Sequence, residues 1–325
     1  MNSSKAITAP TNAIDAPRSV FLTAEDRKNG AYDSANLQKA LEGMHQDGLV
    51  VLKGVADVEH VDALNKFMTA EADDILEVKS KEPISAWNQG VPSNFLQGPP
   101  VTKPELLFND IYFNPYVAQV VNALLGPRPI WNFLTANTAI AGSKGLRQRV
   151  HKDNGVDHPL CPYYIIANVP LIDFSPQNGS TEFWLGSHQN TTGAEQELRP
   201  LGHPLGPYDT FVKEQFVEAR RNVRPPIQTV LCRGDITLRD LRLYHAGMPN
   251  PGDDHRIMLA LGYQASWYPN WHMTTTLPKS QGNFFRGPQG FPIDIRTTLV
   301  DEEDKFYAMK NNDFTFRPSK ASQRD

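Results

Sequence analysis

His151-Lys152-Asp153 offers an imidazole and a carboxylate two positions apart, and Tyr244-His245 offers a second imidazole far downstream. Two imidazoles and one carboxylate on one side of a divalent metal make the facial ligand set of non-haem Fe(II) oxygenases. The positions opposite stay open for a co-substrate and O2. Arg256 follows His245 by eleven residues. A guanidinium there can pair bidentately with a carboxylate of a metal-bound 2-oxo acid.

The His-x-Asp pattern occurs three times, at His45-Gln46-Asp47, His60-Val61-Asp62 and His151-Lys152-Asp153. Residues i and i+2 point to one face of a strand, but stand roughly 200° apart on a helix. His60 and Asp62 fall inside a predicted helix and cannot chelate together. His45 and Asp47 fall at a helix end, where Gly48 and an apolar run suit an ordinary helix-to-strand turn. His151 and Asp153 fall where a strand meets a loop. Lys152, Asp153, Asn154 and Gly155 would also suit a plain surface turn. The downstream pair favours a metal role, because His245 and Arg256 should flank a hairpin, one on each adjacent strand.

Several elements have to position these side chains. Ser34 to Met44 carries Leu37, Leu41 and Met44 on one helical face, and Asp47-Gly48 ends it. Leu49-Val50-Val51-Leu52 reads as a buried strand, and Val58 to Val78 as a second amphipathic helix. Residues 80–113 read as irregular, with Pro83, Pro92, Pro99, Pro100 and Pro104, and such long loops often form lids or substrate walls. Tyr116 to Leu125 reads as a third helix, stopped by Gly126-Pro127. Strand-like stretches then follow at Ile130–Ile140, Tyr163–Val169, Thr181–Leu185, Ile227–Leu231, Asp235–Leu238 and Ile257–Trp267. Short strands separated by Gly, Pro and Asn turns predict a sandwich or jelly roll, with the early helices packed outside.

The chain has 325 residues, 40% of them apolar, which is enough for a sizeable core. Its net charge of -4 gives no basic footprint for nucleic acid. Cys161 and Cys232 do not make a disulfide framework and read as reduced thiols. No apolar run approaches membrane-spanning length. The expected division is a flexible leader at 1–17, one domain at 18–318 and a polar tail at 319–325. Within that domain, a helical part at 34–125 precedes a β core at 128–270. Lacking a secretory signal or a Ser-Lys-Leu terminus, the chain is expected to be cytoplasmic.

At these residues the sequence resembles the phytanoyl-CoA dioxygenase (PhyH-like) family of Fe(II)- and 2-oxoglutarate-dependent oxygenases. The resemblance runs from about Gln46 to about Trp267. It rests on Asp47-Gly48-Leu49-Val50-Val51-Leu52, Gln148-x-x-His151-x-Asp153, Gln177-Asn178-Gly179-Ser180-Thr181, Leu185-Gly186-Ser187-His188, Gly234-Asp235, and His245 followed by Arg256. Gln97-Gly98-Pro99-Pro100 and Gly179-Ser180-Thr181-Glu182 look most like microbial, especially fungal, members, many of which tailor natural products. The resemblance implies a mainly β fold with flanking helices around a double-stranded β-helix (jelly roll, cupin-like) core. It implies His151, Asp153 and His245 as iron ligands, and Arg256, Thr181 and Gln148 as 2-oxoglutarate contacts. It also implies a reaction with O2 that releases succinate and CO2 while a substrate C–H bond is hydroxylated, desaturated or otherwise oxidised.

Residues 189–226 depart from the family as a long insertion, which reads as a loop from Pro200, Pro204, Pro207, Pro225 and Pro226. That insertion, with the missing peroxisomal address, weighs against an acyl-CoA or lipid substrate, the alternative to a small molecule of secondary metabolism. A catalytically inactive binding or scaffold protein is a third reading, and the complete ligand set opposes it. Trp87, Asn88 and Phe95 in the proline-rich segment, Tyr164 on a core strand and Trp267 beyond Arg256 are candidates for the substrate pocket. His188 reads as a structural turn residue. A homodimer through the early helices is a further expectation.

Overall fold

The computed structural model describes residues 16–79, 88, 93–143, 145, 147–203, 207–302 and 316–319. In chain order the elements begin with β1 (Arg18–Phe21), α1 (Ala24–Asn29), α2 (Ser34–Asp47), β2 (Leu49–Lys53), α3 (Val58–Lys79), β3 (Asn94–Gln97), α4 (Asn109–Tyr112) and α5 (Pro115–Leu125). They continue with β4 (Ile130–Ala139), β5 (Tyr164–Pro170), β6 (Glu182–Phe183), β7 (Gln196–Leu198), β8 (Tyr208–Val212), α6 (Glu214–Val223) and β9 (Ile227–Gln228). The last are β10 (Ile236–Asp240), β11 (His245–Ala246), β12 (Arg256–Gln264), β13 (Thr275–Pro278), β14 (Asp294–Ile295) and β15 (Thr297–Val300).

Local signals set the helix ends. The Asp33 carboxylate caps α2 by accepting from the Asn36 N–H, and Gly48 closes it in the left-handed region. Asn114 caps α5 by accepting from the N–H groups of Tyr116 and Val117, with Pro115 at the first helical position.

The major sheet runs β1-β2-β10-β5-β12-β4-β14, and β3 joins along β4. The minor sheet is β11-β6-β9, extended by a bridge between His151 and His245. Together they form a double-stranded β-helix flanked by helices, a mainly β fold. Strand parity divides the major sheet into two faces. Val50 and Leu52 of β2 and Ile257, Leu259 and Leu261 of β12 pack into the main apolar core, which α2 and α5 cover from outside. Leu49 and Val51 of β2 turn the other way, into smaller clusters with Phe183, Leu185 and Leu243, and with Phe174 and Leu231. The apolar run of β2 thus serves both faces. On β12 the residues opposite the core, Arg256, Met258 and Ala260, line a cavity.

Three regions differ from the sequence reading. Residues 80–113 include β3, which pairs antiparallel with β4, and the short helix α4. The 189–226 insertion holds β7, β8 and α6. Its prolines stand at 200–207 and 225–226, leaving 208–224 free of them. There Val217 packs with Val150, Trp184, Val212 and Tyr244, and the Arg221 guanidinium lies 4.7 Å from the Trp184 ring. His245 and Arg256 are not on paired strands. β11 belongs to the minor sheet and β12 to the major one, so the segment between them crosses from sheet to sheet.

Candidate active site

His151 and His245 are directly opposite in an antiparallel bridge, each N–H donating to the other's carbonyl at 3.0 Å. Their side chains therefore emerge on one face, and the ring centroids stand 4.2 Å apart. The next residue alternates outward: the buried Lys152 ammonium donates to the Thr191 hydroxyl and the Thr192 carbonyl. Asp153 returns to the inner face. Its Oδ1 lies 3.7 Å from His151 Nε2 and 3.4 Å from His245 Nε2. One atom from each of the three lies within 4.8 Å of the others, the only such His/Cys/Asp/Glu group among the described residues.

Each imidazole is oriented by a carbonyl two residues before it. His151 Nδ1 meets the Arg149 carbonyl at 2.8 Å, and His245 Nδ1 meets the Leu243 carbonyl at 3.1 Å. A carbonyl only accepts, so Nδ1 carries the proton and the Nε2 lone pair faces inward, as a metal requires. Burial and the neighbouring His245 push His151 down to about 3, keeping it neutral. Burial pushes Asp153 upward, but the Arg239 guanidinium and His245 outweigh it and hold the carboxyl well below the usual range. The Arg239 Nη2 donates to Asp153 Oδ2 at 2.6 Å.

These three residues border a cavity of about 480 Å3 between the sheets. Arg256 enters from the major sheet, buried, with its guanidinium 5.0 Å from the Phe174 ring. Its Nε has no hydrogen-bond partner among the described residues, and no carboxylate pairs with it there. Burial pushes it down to about 10. Thr181 and Gln148 also line the cavity, both buried. Gln148 Oε1 accepts from the Gly247 N–H at 2.7 Å, and a Cβ at Gly247 would sit 2.5 Å from that oxygen. Glycine at 247 therefore lets the amide close against the chain just after His245.

Residues 44–258 match the family model for phytanoyl-CoA dioxygenase (PhyH). The chain belongs to the phytanoyl-CoA dioxygenase family. It is a 2-oxoglutarate-dependent non-haem iron oxygenase, with Fe(II) as its metal and 2-oxoglutarate and O2 as co-substrates. A crystal structure of the epimerase SnoN in complex with Fe3+, alpha ketoglutarate and nogalamycin RO is 20% identical, covering 72% of this chain and 85% of that one at a TM-score of 0.52. A structure of SnoN as the non-heme alpha ketoglutarate dependent epimerase from nogalamycin biosynthesis gives 20%, 72%, 82% and 0.52. HygX from Streptomyces hygroscopicus, with nickel, 2-oxoglutarate and hygromycin B bound, is 16% identical over 74% of this chain and 90% of that one, at a TM-score of 0.46. The likeness to SnoN is one of fold.

The oxygenase's own residues fit the groups it uses. The inward Nε2 atoms and the ionised Asp153 suit Fe(II), and the buried Arg256, whose Nε has no hydrogen-bond partner among the described residues, suits a carboxylate. The other two His-x-Asp pairs stand elsewhere. His60 pairs with Asp110 and stacks on Phe108, Asp62 pairs with Arg233, and Asp47 pairs with Arg224.

The pocket candidates divide. Asn88 lines the cavity. Phe95 does not, because strand parity turns it into a cluster with Ala72 and Ile75 while its neighbours Asn94 and Leu96 face the cavity. Tyr164 does not reach the cavity either: its hydroxyl donates to Asn132 at 2.6 Å and its ring packs on Phe316. Trp267 is half-exposed against Tyr268, away from the cavity. Trp87 lies outside the described residues. His188 is buried beside Gly48. Arg239 went unread, although a charged residue in Ile236-Thr237-Leu238-Arg239, next to a buried apolar strand, was a usable signal. Phe133, Thr135, Asn137, Asn168 and Phe316 also line the cavity without having been singled out. No described helix is long and apolar enough to cross a membrane.

Proposed function

We propose that this oxygenase oxidises a C–H bond of a small molecule of secondary metabolism, with His151, Asp153 and His245 as the iron ligands. One observation carries this reading. The three ligand atoms converge at the border of a cavity that also holds a buried arginine with no carboxylate partner among the described residues. Bound Fe(II), 2-oxoglutarate and O2 supply oxidative decarboxylation to succinate and CO2, coupled to oxidation of the substrate. Arg256 would hold the distal carboxylate of 2-oxoglutarate with Thr181 beside it, and Gln148, fixed through Gly247, would orient the co-substrate at the metal end. The backbone carbonyls of Arg149 and Leu243 keep both imidazoles in the ligating tautomer. Arg239 keeps Asp153 ionised and aimed.

The cavity size suits a compact molecule together with the co-substrate. The test is mass spectrometry of a small-molecule panel incubated with Fe(II), ascorbate, 2-oxoglutarate and air. Succinate should form in step with a substrate-derived product, and Asp153→Ala and Arg256→Ala should abolish both. No 2-oxoglutarate turnover by the wild type under any of these conditions would sink the proposal.

A further inference from the structure

Arg239 has more hydrogen-bonding capacity than Asp153 uses. Its Nη2 holds Asp153 Oδ2, while Oδ1 is the oxygen turned toward both histidines. Its Nη1 is buried and has no partner among the described residues, and the residue lines the cavity. A buried N–H of a charged group left without an acceptor is costly.

The charge balance points the same way. The charged side chains lining the cavity are Asp153, Arg199, Arg239 and Arg256. Arg199 has its own partner in Asp209 at 3.5 Å. Fe(II) and the 2-oxoglutarate dianion cancel each other, and Asp153 offsets one of the other two arginines. One positive charge remains in a buried site. A charge in that position calls for an anionic partner.

The two arginines address different parts of the cavity. Arg239 pairs across the sheet with Ile166, which pairs with Gly262, which pairs with Phe133. Gly262 and Arg256 are six residues apart on β12, about 20 Å of strand. A co-substrate anchored on Arg256 therefore leaves the Arg239 row to another molecule. Beside Arg239 that row is apolar, with Ile166 and Phe133, and Phe316 lies 5.9 Å from the Phe133 ring.

We infer that Arg239 is a substrate anchor, and that the molecule oxidised here carries a carboxylate next to an apolar body. The inference rests on the proposed oxygenase reading and specifies its substrate class. Arg239 Nη2 stays on Asp153, and Nη1 donates to the substrate carboxylate, which places the adjoining carbon skeleton near the metal position. A neutral analogue loses the charge-assisted bond and leaves the excess charge unmet.

The test uses full-length protein loaded anaerobically with Fe(II) and 2-oxoglutarate, its weak charge-transfer absorption band reporting loading. The probes are matched acids, amides and amines: phenylacetate, indole-3-acetate and cyclohexaneacetate with their neutral and cationic counterparts. Binding is read from the shift in Tm and from perturbation of the band. The expected result is that acids bind on the order of 10- to 100-fold more tightly than their amides. Arg239→Gln, compared at iron and 2-oxoglutarate concentrations raised until its band matches the wild type's, should lose that preference, and Arg239→Lys should keep part of it. A formed band with no acid bound more tightly than its amide overturns the anchor alone. So does an acid preference that survives in Arg239→Gln, or a loss confined to 2-oxoglutarate affinity. A wild type that forms no band overturns the oxygenase reading, and the anchor with it.

Discussion

Replacing Arg256 with Met should have opposite effects on the empty and the loaded protein. In the empty protein the guanidinium is buried with no carboxylate partner among the described residues, and burial pushes it down to about 10. At about 1.4 kcal/mol per tenfold, that is roughly 3 kcal/mol against the charged form. Its contact with the Phe174 ring returns about 1 kcal/mol, and Met does not refill the whole volume. Arg256→Met should therefore stabilise the metal-free protein by about 1 kcal/mol, a rise in Tm of roughly 2 °C. In the loaded protein the same change removes the partner of a buried carboxylate, a loss of about 2–5 kcal/mol and so at least a 30-fold weaker hold on 2-oxoglutarate. Differential scanning fluorimetry with and without Mn(II) and 2-oxoglutarate reads both effects. The wild type should melt lower than the variant when empty and higher when loaded. A variant that keeps the wild-type response to 2-oxoglutarate refutes the role given to Arg256. One that melts several degrees lower when empty refutes the account of its burial.

Three further outcomes follow from the geometry around the site. Gly179 has φ +71°, and a Cβ there would meet the Pro249 carbonyl oxygen at 2.0 Å, so Gly179→Ala should cost at least about 2 kcal/mol in urea denaturation. Gln148→Ala should cost about 1–3 kcal/mol by stranding the Gly247 N–H, and should raise the KM for 2-oxoglutarate, whereas Gln148→Glu retains the acceptor. The metal-free protein should lose stability as pH falls. Burial, together with the neighbouring His245 at one site and Lys152 at the other, pushes His151 to about 3 and His158 to about 4. Both are therefore neutral in the fold, while the unfolded chain takes up protons near 6.5. Their stability is full above pH 6.5 and declines toward pH 4. His158→Gln should flatten that limb in Tm measurements across pH 4–7, and an unchanged limb would contradict the assignment.

Much of the site was legible because strand parity is local. His151 and Asp153 share a face at a spacing of two, and the structure turns Lys152 between them the other way, as the same rule requires. The four apolar residues of β2 announced a strand buried on both sides. The partner of Asp153 was not legible, since Arg239 lies 86 residues away and reaches it only through the fold. Parity also explains Phe95. The proline-rich segment was read without a strand, so nothing told which of Asn94, Phe95 and Leu96 would face inward. Helix α6 was hidden by counting prolines over a whole insertion rather than locating them. The link between His245 and Arg256 was read as a hairpin because a short turn-rich segment usually is one, and here it crosses between sheets.

The account stands most directly on one anaerobic titration. Fe(II) is added to the wild type with excess 2-oxoglutarate, and the charge-transfer band is followed beside Asp153→Ala and His245→Ala. The wild type should develop the band and saturate at one iron per chain, and both variants should fail to develop it at the same iron concentration while keeping the wild-type circular dichroism. A band absent from the wild type, or undiminished in either variant, contradicts the assignment of His151, Asp153 and His245 as the iron site.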